Sequence, residues 1–178
     1  MTVQIIRREV IHTHSKTSFM HKTARMPDGT LVEKAALSHP GSVGLVPLTA
    51  DGRLVLVRQY RLPLEDFLLE IPAGGLEPGE TPEVCARREL QEEAGYYPAS
   101  LQPLTGVYLS PGTSDEYMHL FLAQALQPSP RPGDPDELIQ VAHVPLADAA
   151  QMIESGEIRD AKTISGLYQA MRLLQAGS

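Results

Sequence analysis

Apolar positions along this chain change period several times, and the changes divide it into elements. Val43 to Leu48 and Leu54 to Tyr60 are almost continuously apolar, as strands buried on both faces are, and Thr49-Ala50-Asp51-Gly52-Arg53 between them predicts a hairpin turn. Upstream, Thr17 to Ala24 and Thr30 to Ala36 flank Pro27-Asp28-Gly29 and predict an earlier hairpin. Phe67 to Ile71, Val107 to Leu109, Tyr117 to Leu126 and Leu138 to Val144 read as further strands. Helical period governs Ala147 to Ser155 and Asp160 to Gln175, where Ile164, Leu167, Met171 and Leu174 share one stripe. From Gln127 to Pro135 the prolines are too dense for either element, so a loop is expected there.

A third helix is punctuated at both ends. Thr81 suits an N-cap, Pro82 the first helical position and Gly95 a left-handed stop, which predicts a helix from Pro82 to Ala94. Strands interrupted by one central helix and followed by late helices predict an α+β domain layered as α/β/α, without internal repeats or a domain-sized linker.

On the central helix Glu89, Glu92 and Glu93 fall at i, i+3 and i+4, within roughly a 100° arc, beside a side formed by Ala86, Leu90 and Ala94. Glu89 and Glu93 repel at about 0.2–0.5 kcal/mol, and Arg88 is the local cation, four residues before Glu92. Most Glu-rich helical stripes are simply solvated. Here, however, Glu70-Ile71-Pro72-Ala73-Gly74-Gly75-Leu76-Glu77-Pro78-Gly79-Glu80 ends an apolar strand in a Gly-rich loop that feeds the helix and frees backbone groups to approach a ligand. Hard oxygen donors in this number suit Mg²⁺ or Mn²⁺ shared with substrate phosphates.

Composition narrows the partners. A net charge of −7 and a pI near 5.3, without a basic block, exclude the field that holds nucleic acid, so a polyanionic substrate must be met by local arginines and metal. Cys85 is the single cysteine of 178 residues, which rules out an intrachain disulfide and predicts a reducing, cytoplasmic setting. No apolar run approaches membrane-spanning length. The six histidines, His12 and His14 included, show no metal-ligand spacing.

From Gly74 to Tyr96 the chain matches G-x5-E-x7-R-E-U-x-E-E-x-G-U, with U a bulky apolar residue, at every fixed position. The chain resembles the Nudix hydrolases on this evidence. Val57-Arg58-Gln59-Tyr60-Arg61, Leu69-Glu70-Ile71-Pro72-Ala73-Gly74 and Ser110-Pro111-Gly112, with Pro111 fifteen residues after Tyr96, are similar to the ADP-ribose pyrophosphatase branch. The resemblance runs from about Phe19 to the last helix.

It implies a Nudix-type α/β/α sandwich with a mixed sheet, an N-terminal strand region over residues 1–40 and a catalytic domain over 41–178. It implies Mg²⁺-dependent hydrolysis of ADP-ribose, with Glu89, Glu92, Glu93 and the Ala73 carbonyl as metal ligands, and Arg88 orienting a box glutamate. Arg58, Arg61, Glu70, Pro111 and Gly112 match positions that face substrate; strand alternation puts the two arginines on opposite faces and favours Arg61. Glu137 aligns with a loop glutamate that serves as general base in several relatives, while others use a box glutamate, which leaves Glu137 and Glu93 as alternatives. Adenine stacking falls to Phe19, Tyr60 or Tyr117. The resemblance also implies a homodimer built through the N-terminal strands. Other expected substrates are GDP-mannose, FAD, NADH or a dinucleoside polyphosphate, and a different class is a sensor that binds ADP-ribose uncut. Sensors commonly lose acidic box positions, whereas here all are present.

Overall fold

Gln4–His14 forms a strand, β1, in a stretch where the sequence pattern assigns no element. Its apolar residues come as doublets, Ile5-Ile6 and Val10-Ile11, which break the alternation a strand should show. Register slips at Ile5/Arg7 and Val10/His12 explain the doublets, because each bulge inserts one extra residue and restarts the alternation. β1 pairs antiparallel with β2 (Thr17–Arg25), and β2 with β3 (Leu31–Ser38) around the expected turn at Asp28-Gly29. The computed structural model describes residues 1–176 and falls into two compact units. The first holds Met1–Gly41 and Tyr108–Tyr117; the second holds Ser42–Val107 and the chain from Met118 onward. Within the first unit Asp115 ties the segments together, accepting from Lys22, Ser38 and the His39 amide.

The second unit contains the remaining layers. β4 (Ser42–Pro47) and β5 (Arg53–Arg61) are buried as their composition requires, but they do not pair as the expected hairpin. Beyond one bridge, Leu48 to Leu54, they enter different sheets. β4 runs parallel to β10 (Tyr117–Pro128) and antiparallel to β7 (Ala73–Gly75), while β5 lies between β6 (Asp66–Glu70) and β11 (Ile139–Pro145). Each strand is apolar on both faces and finds longer ladders with distant partners than the short turn offers. β8 (Tyr96–Pro103) borders β10, and β9 (Val107–Tyr108) also pairs with it.

Alternation along β4 delivers two apolar faces. Val43 and Leu45 join Val55, Phe121 and Ala123 against Cys85, Ala86, Leu90 and Ala94 of α1 (Pro82–Ala94). Val46 on the opposite face meets α3 (Ala161–Ala176), where an added Cβ at Gly166 would lie 3.1 Å from Val46 and 3.3 Å from Ile71. The face of α3 that packs is centred on Thr163, Gly166, Leu167 and Ala170, rotated from the expected Leu and Met stripe, because small residues let the helix approach. Thr163 Oγ1 accepts from the buried Ile71 amide at 2.9 Å, which fixes the start of α3 beside the end of β6. Ahead of α3 in the chain, α2 (Ala149–Glu154), entered through a 3-10 turn at Leu146–Asp148, fills the expected helical segment. No helix is long and apolar enough to cross a membrane among the described residues.

Candidate active site

The acidic face is carried by α1 and the strand-loop that precedes it, all within the second unit. Thr81 accepts from the Val84 amide, Pro82 opens the helix and Gly95 closes it at φ 78°, so the helix has the bounds its punctuation predicts. Burial then takes Glu89 and Glu93 out of water along with the apolar side, leaving Glu92 half-buried. An added Cβ at Gly74 would fall 2.0 Å from the Glu89 carboxyl carbon. Only glycine lets the β7 backbone lie against that carboxylate.

One cation serves three of the acids. Arg88 grips Glu80 in two-pronged fashion, Nε to Oε1 at 2.8 Å and Nη2 to Oε2 at 3.0 Å, while Nη1 reaches Glu89 at 2.6 Å and Glu92 at 2.9 Å. Arg88 holds the Glu80 carboxyl down to about 2, and Glu80 in turn raises Arg88 above its ordinary value. Glu80, a fixed position of the motif without a role on sequence grounds, is therefore the anchor of the arginine. Cys85 beside it is fully buried, its thiol pushed up to about 12 by burial and then by Glu89 and Glu80, which makes it a packing residue.

Glu93 lacks a cation of its own. Its Oε2 accepts from the Ala73 amide at 3.0 Å. Burial pushes its carboxyl up to about 8; the Ala73 amide opposes this, and the charges of Glu89 and Glu137 reinforce it. Glu137, on the loop between β10 and β11, is also raised, by burial first and then by Asp134, against Arg61 and the Gln59 amide. The two candidates for general base thus sit within each other's field.

Glu70 is not a strand-end charge in water: its side chain is 1% exposed. Arg61 donates to it from Nε at 2.8 Å and Nη2 at 2.6 Å, and Lys162 donates from α3. Burial works against ionisation of Glu70, but these two cations outweigh it and lower its pKa; Glu70 correspondingly raises Arg61. Lys162, which also meets Asp160 at 3.1 Å, is a site residue that no sequence motif marks. Its signal was a lysine next to Thr163 at the start of a helix whose neighbouring residues are buried. Alternation separates the strand arginines as expected: Arg61 joins Glu70 and the field of Glu93, while Arg58 is exposed, with its guanidinium 5.9 Å from the Phe67 ring.

Pro111 and Gly112 belong to the first unit, in a turn whose Ser110 carbonyl accepts from the Thr113 and Ser114 amides. That turn lines a cavity of about 430 Å³ with Lys22, Lys34, Tyr108 and Asp115. Of the aromatic candidates, Tyr60 packs edge-on to Phe67, Tyr117 to Tyr108 and Phe19 to His21.

The donor chemistry around α1 suits a divalent cation: hard carboxylate oxygens outnumber cations, and the charge of Glu89 still bears on buried Glu93. Among the described residues no three such groups are already gathered into a cage, since Arg88 occupies oxygens of Glu89 and Glu92.

A family model described as NUDIX domain matches residues 38–167. An ADP-ribose pyrophosphatase of Bacillus subtilis is 39% identical over 173 residues, covering 96% of this chain and 93% of its own. A methanol dehydrogenase activator of Bacillus methanolicus is 35% identical over 173 residues, with the same coverages of 96% and 93%. A crystal structure of an ADP compounds hydrolase shares the fold, with a TM-score of 0.87 at 23% identity, over 100% of this chain and 97% of that one.

Proposed function

Because this chain belongs to the Nudix hydrolase family, we propose that it is a metal-dependent pyrophosphohydrolase that cleaves ADP-ribose to AMP and ribose 5-phosphate. The observation that carries the reading is the excess of buried carboxylate at α1: Arg88 is shared by three glutamates, and Glu93 is left with none of it. Glu89, Glu92 and Glu93, with the Ala73 carbonyl, would hold Mg²⁺, or Mn²⁺ in its place. Such an ion, when bound, neutralises phosphate charge and lowers the pKa of water.

The side chains supply the rest. Arg88, fixed by Glu80, keeps the box carboxylates aimed once they turn toward a ligand. Glu70 holds Arg61 by Nε and Nη2, which presents Nη1 to a phosphate oxygen. Glu137 or Glu93, each with a raised pKa, takes a proton from the attacking water.

A second copy of the chain completes this reading. In β1, β2 and β3, Ile5, Ile6, Val10, Ile11, Leu31 and Leu37 are exposed, apolar surface that a second copy could cover. A homodimer in a reducing cytoplasm, built through this strand region, fits those residues and the buried single cysteine.

Incubating the protein and Mg²⁺ with ADP-ribose, GDP-mannose, FAD, NADH and a dinucleoside polyphosphate, followed by phosphorus NMR, tests the substrate. ADP-ribose is expected to disappear fastest, giving AMP and ribose 5-phosphate; its survival while another compound is cut would shift the reading to that compound. Survival of the whole panel with ADP-ribose bound would mark a sensor.

Gly74→Ala probes the carboxylate cradle directly. Since the clash is with the far end of a flexible side chain, the cost falls on the aim of Glu89 and on its contact with Arg88, and stability is expected to drop by about 1 kcal/mol. Mn²⁺ affinity is expected to fall by about tenfold or more, measured by calorimetric titration. Unchanged affinity would remove Glu89 from the ligand set.

A further inference from the structure

The loop that carries Glu137 is pinned at its base to the box helix. Its Ser129 amide donates to the Gly95 carbonyl at 2.8 Å, and its Arg131 amide donates to the Gln91 carbonyl at 3.1 Å. These are carbonyls of the C-terminal end of α1, where a helix runs out of internal donors. The Gln91 side chain adds a third attachment: its Nε2 donates to the Ser129 carbonyl at 3.2 Å and to Ser129 Oγ at 2.8 Å. Farther along, an added Cβ at Gly133 would lie 3.3 Å from the Glu92 carbonyl oxygen, so the loop backbone still follows the last turn of the helix. Glu137 is then reached through a single local turn, in which the Glu137 amide donates to the Asp134 carbonyl at 3.1 Å and the Asp136 amide to the Asp134 carboxylate at 3.0 Å.

Gln91 occupies an x position of the R-E-U-x-E-E run, where the motif asks for no particular residue. Yet its side chain is buried at 6% exposure, between Leu90 and Glu92 in sequence. A buried amide is costly without partners, and both acceptors of its Nε2 belong to Ser129 on the loop.

We propose that Gln91 is a positioning residue that clamps the base of the Glu137 loop to the helix bearing Glu92 and Glu93, so that loop and box carboxylates share one rigid reference. The inference rests on Glu137 taking part in the reaction. The Gln59 side chain, which hydrogen-bonds Glu137 from β5, and the nearby charge of Arg61 act on where its carboxylate ends; Gln91 sets where its tether begins.

Gln91→Met keeps the volume and removes the donor. It is expected to lower kcat about tenfold with KM within about twofold, because a tether displaced by a fraction of an ångström misaims the carboxylate rather than loosening substrate. Amide exchange is expected to quicken by about tenfold or more at Ser129 and Arg131 and to stay unchanged in β4 and in the first turns of α1. Ser129→Ala, outside the helix, should quicken exchange at Arg131 by about threefold, since the Ser129 carbonyl still accepts. In a Glu137→Gln background, Gln91→Met should change kcat by less than about twofold, because the two act through one group.

Wild-type exchange at the loop in Gln91→Met would overturn the clamp while leaving Glu137 in place. An undiminished kcat effect in the Glu137→Gln background would overturn the route through Glu137, placing Gln91's influence within the helix. Glu137→Gln at the wild-type rate would instead refute the assignment of Glu137, and with it the catalytic half of the inference.

Discussion

Glu92→Gln protein is expected to hydrolyse ADP-ribose on the order of 10²–10⁴-fold more slowly than wild type at saturating Mg²⁺, the range a positioned ionisable group contributes. Its unfolding temperature should move by only a few degrees. The two effects separate because Glu92 is a quarter exposed and its ion-pair partner is Arg88, at 2.9 Å. A glutamine oxygen accepts the same hydrogen bond, and Arg88 keeps its two-pronged hold on Glu80 and its contact with Glu89. What disappears is one negative oxygen, needed by a cation and dispensable to the fold. Glu137→Gln provides the contrast: a comparable loss of rate with Mn²⁺ affinity unaltered if Glu137 is the base. Rates from quenched assays and affinities from calorimetric titration distinguish the two. Turnover by Glu92→Gln at the wild-type rate would remove this glutamate from the metal set.

How much of this was legible in the sequence depends on how local each feature is. The bounds of α1 follow from Thr81, Pro82 and Gly95 acting on their immediate neighbours, so reading and structure coincide. β4 and β5 were legible as buried strands but not as members of separate sheets, because their partners β10, β7, β11 and β6 are chosen across the chain. β7 is a three-residue strand of Ala73-Gly74-Gly75 with little strand propensity, extended only because Ser42, Val43 and Gly44 pair with it. β8 hides behind Pro98 and Pro103, tolerated where a strand borders β10 with its other edge free of a named partner strand. In the candidate site the helical spacing of Glu89, Glu92, Glu93 and Arg88 was readable, since four residues of helix fix their face. Lys162 on Glu70 and Gln91 on Ser129 were not, because each pair joins residues remote in sequence. Neither a lysine at a helix start nor a glutamine in a free motif position carries a spacing rule.

Chelated wild-type protein is expected to lose stability as pH rises from about 4.5 to about 8, and Glu93→Gln protein to lose far less. The sign follows from proton counting. Glu93 titrates at about 8 in the folded chain against an ordinary 4.5, so within that window the folded state holds a proton that the unfolded state has released. Raising the pH therefore favours unfolding; below the window both states are protonated, and above it both are ionised with the full penalty in place. A displacement of this size corresponds to on the order of 5 kcal/mol if one site carries it. Glu80, held down to about 2, acts in the opposite sense, but its stabilisation is already complete above 4.5 and is lost only in stronger acid. The two windows do not overlap. Glutamine at 93 retains the bond from the Ala73 amide and removes the charge that repels Glu137; any residual slope in the variant belongs to Glu137, whose own pKa is raised. Thermal unfolding from pH 5 to 9, with chelator and with added Mg²⁺, reads all of this, because a ligand bound only by the folded state should restore the wild type most where Glu93 is ionised. Parallel decline of the two proteins would show that burial among Glu89 and Glu137 does not hold that proton, and would take away the excess charge that metal binding at α1 requires.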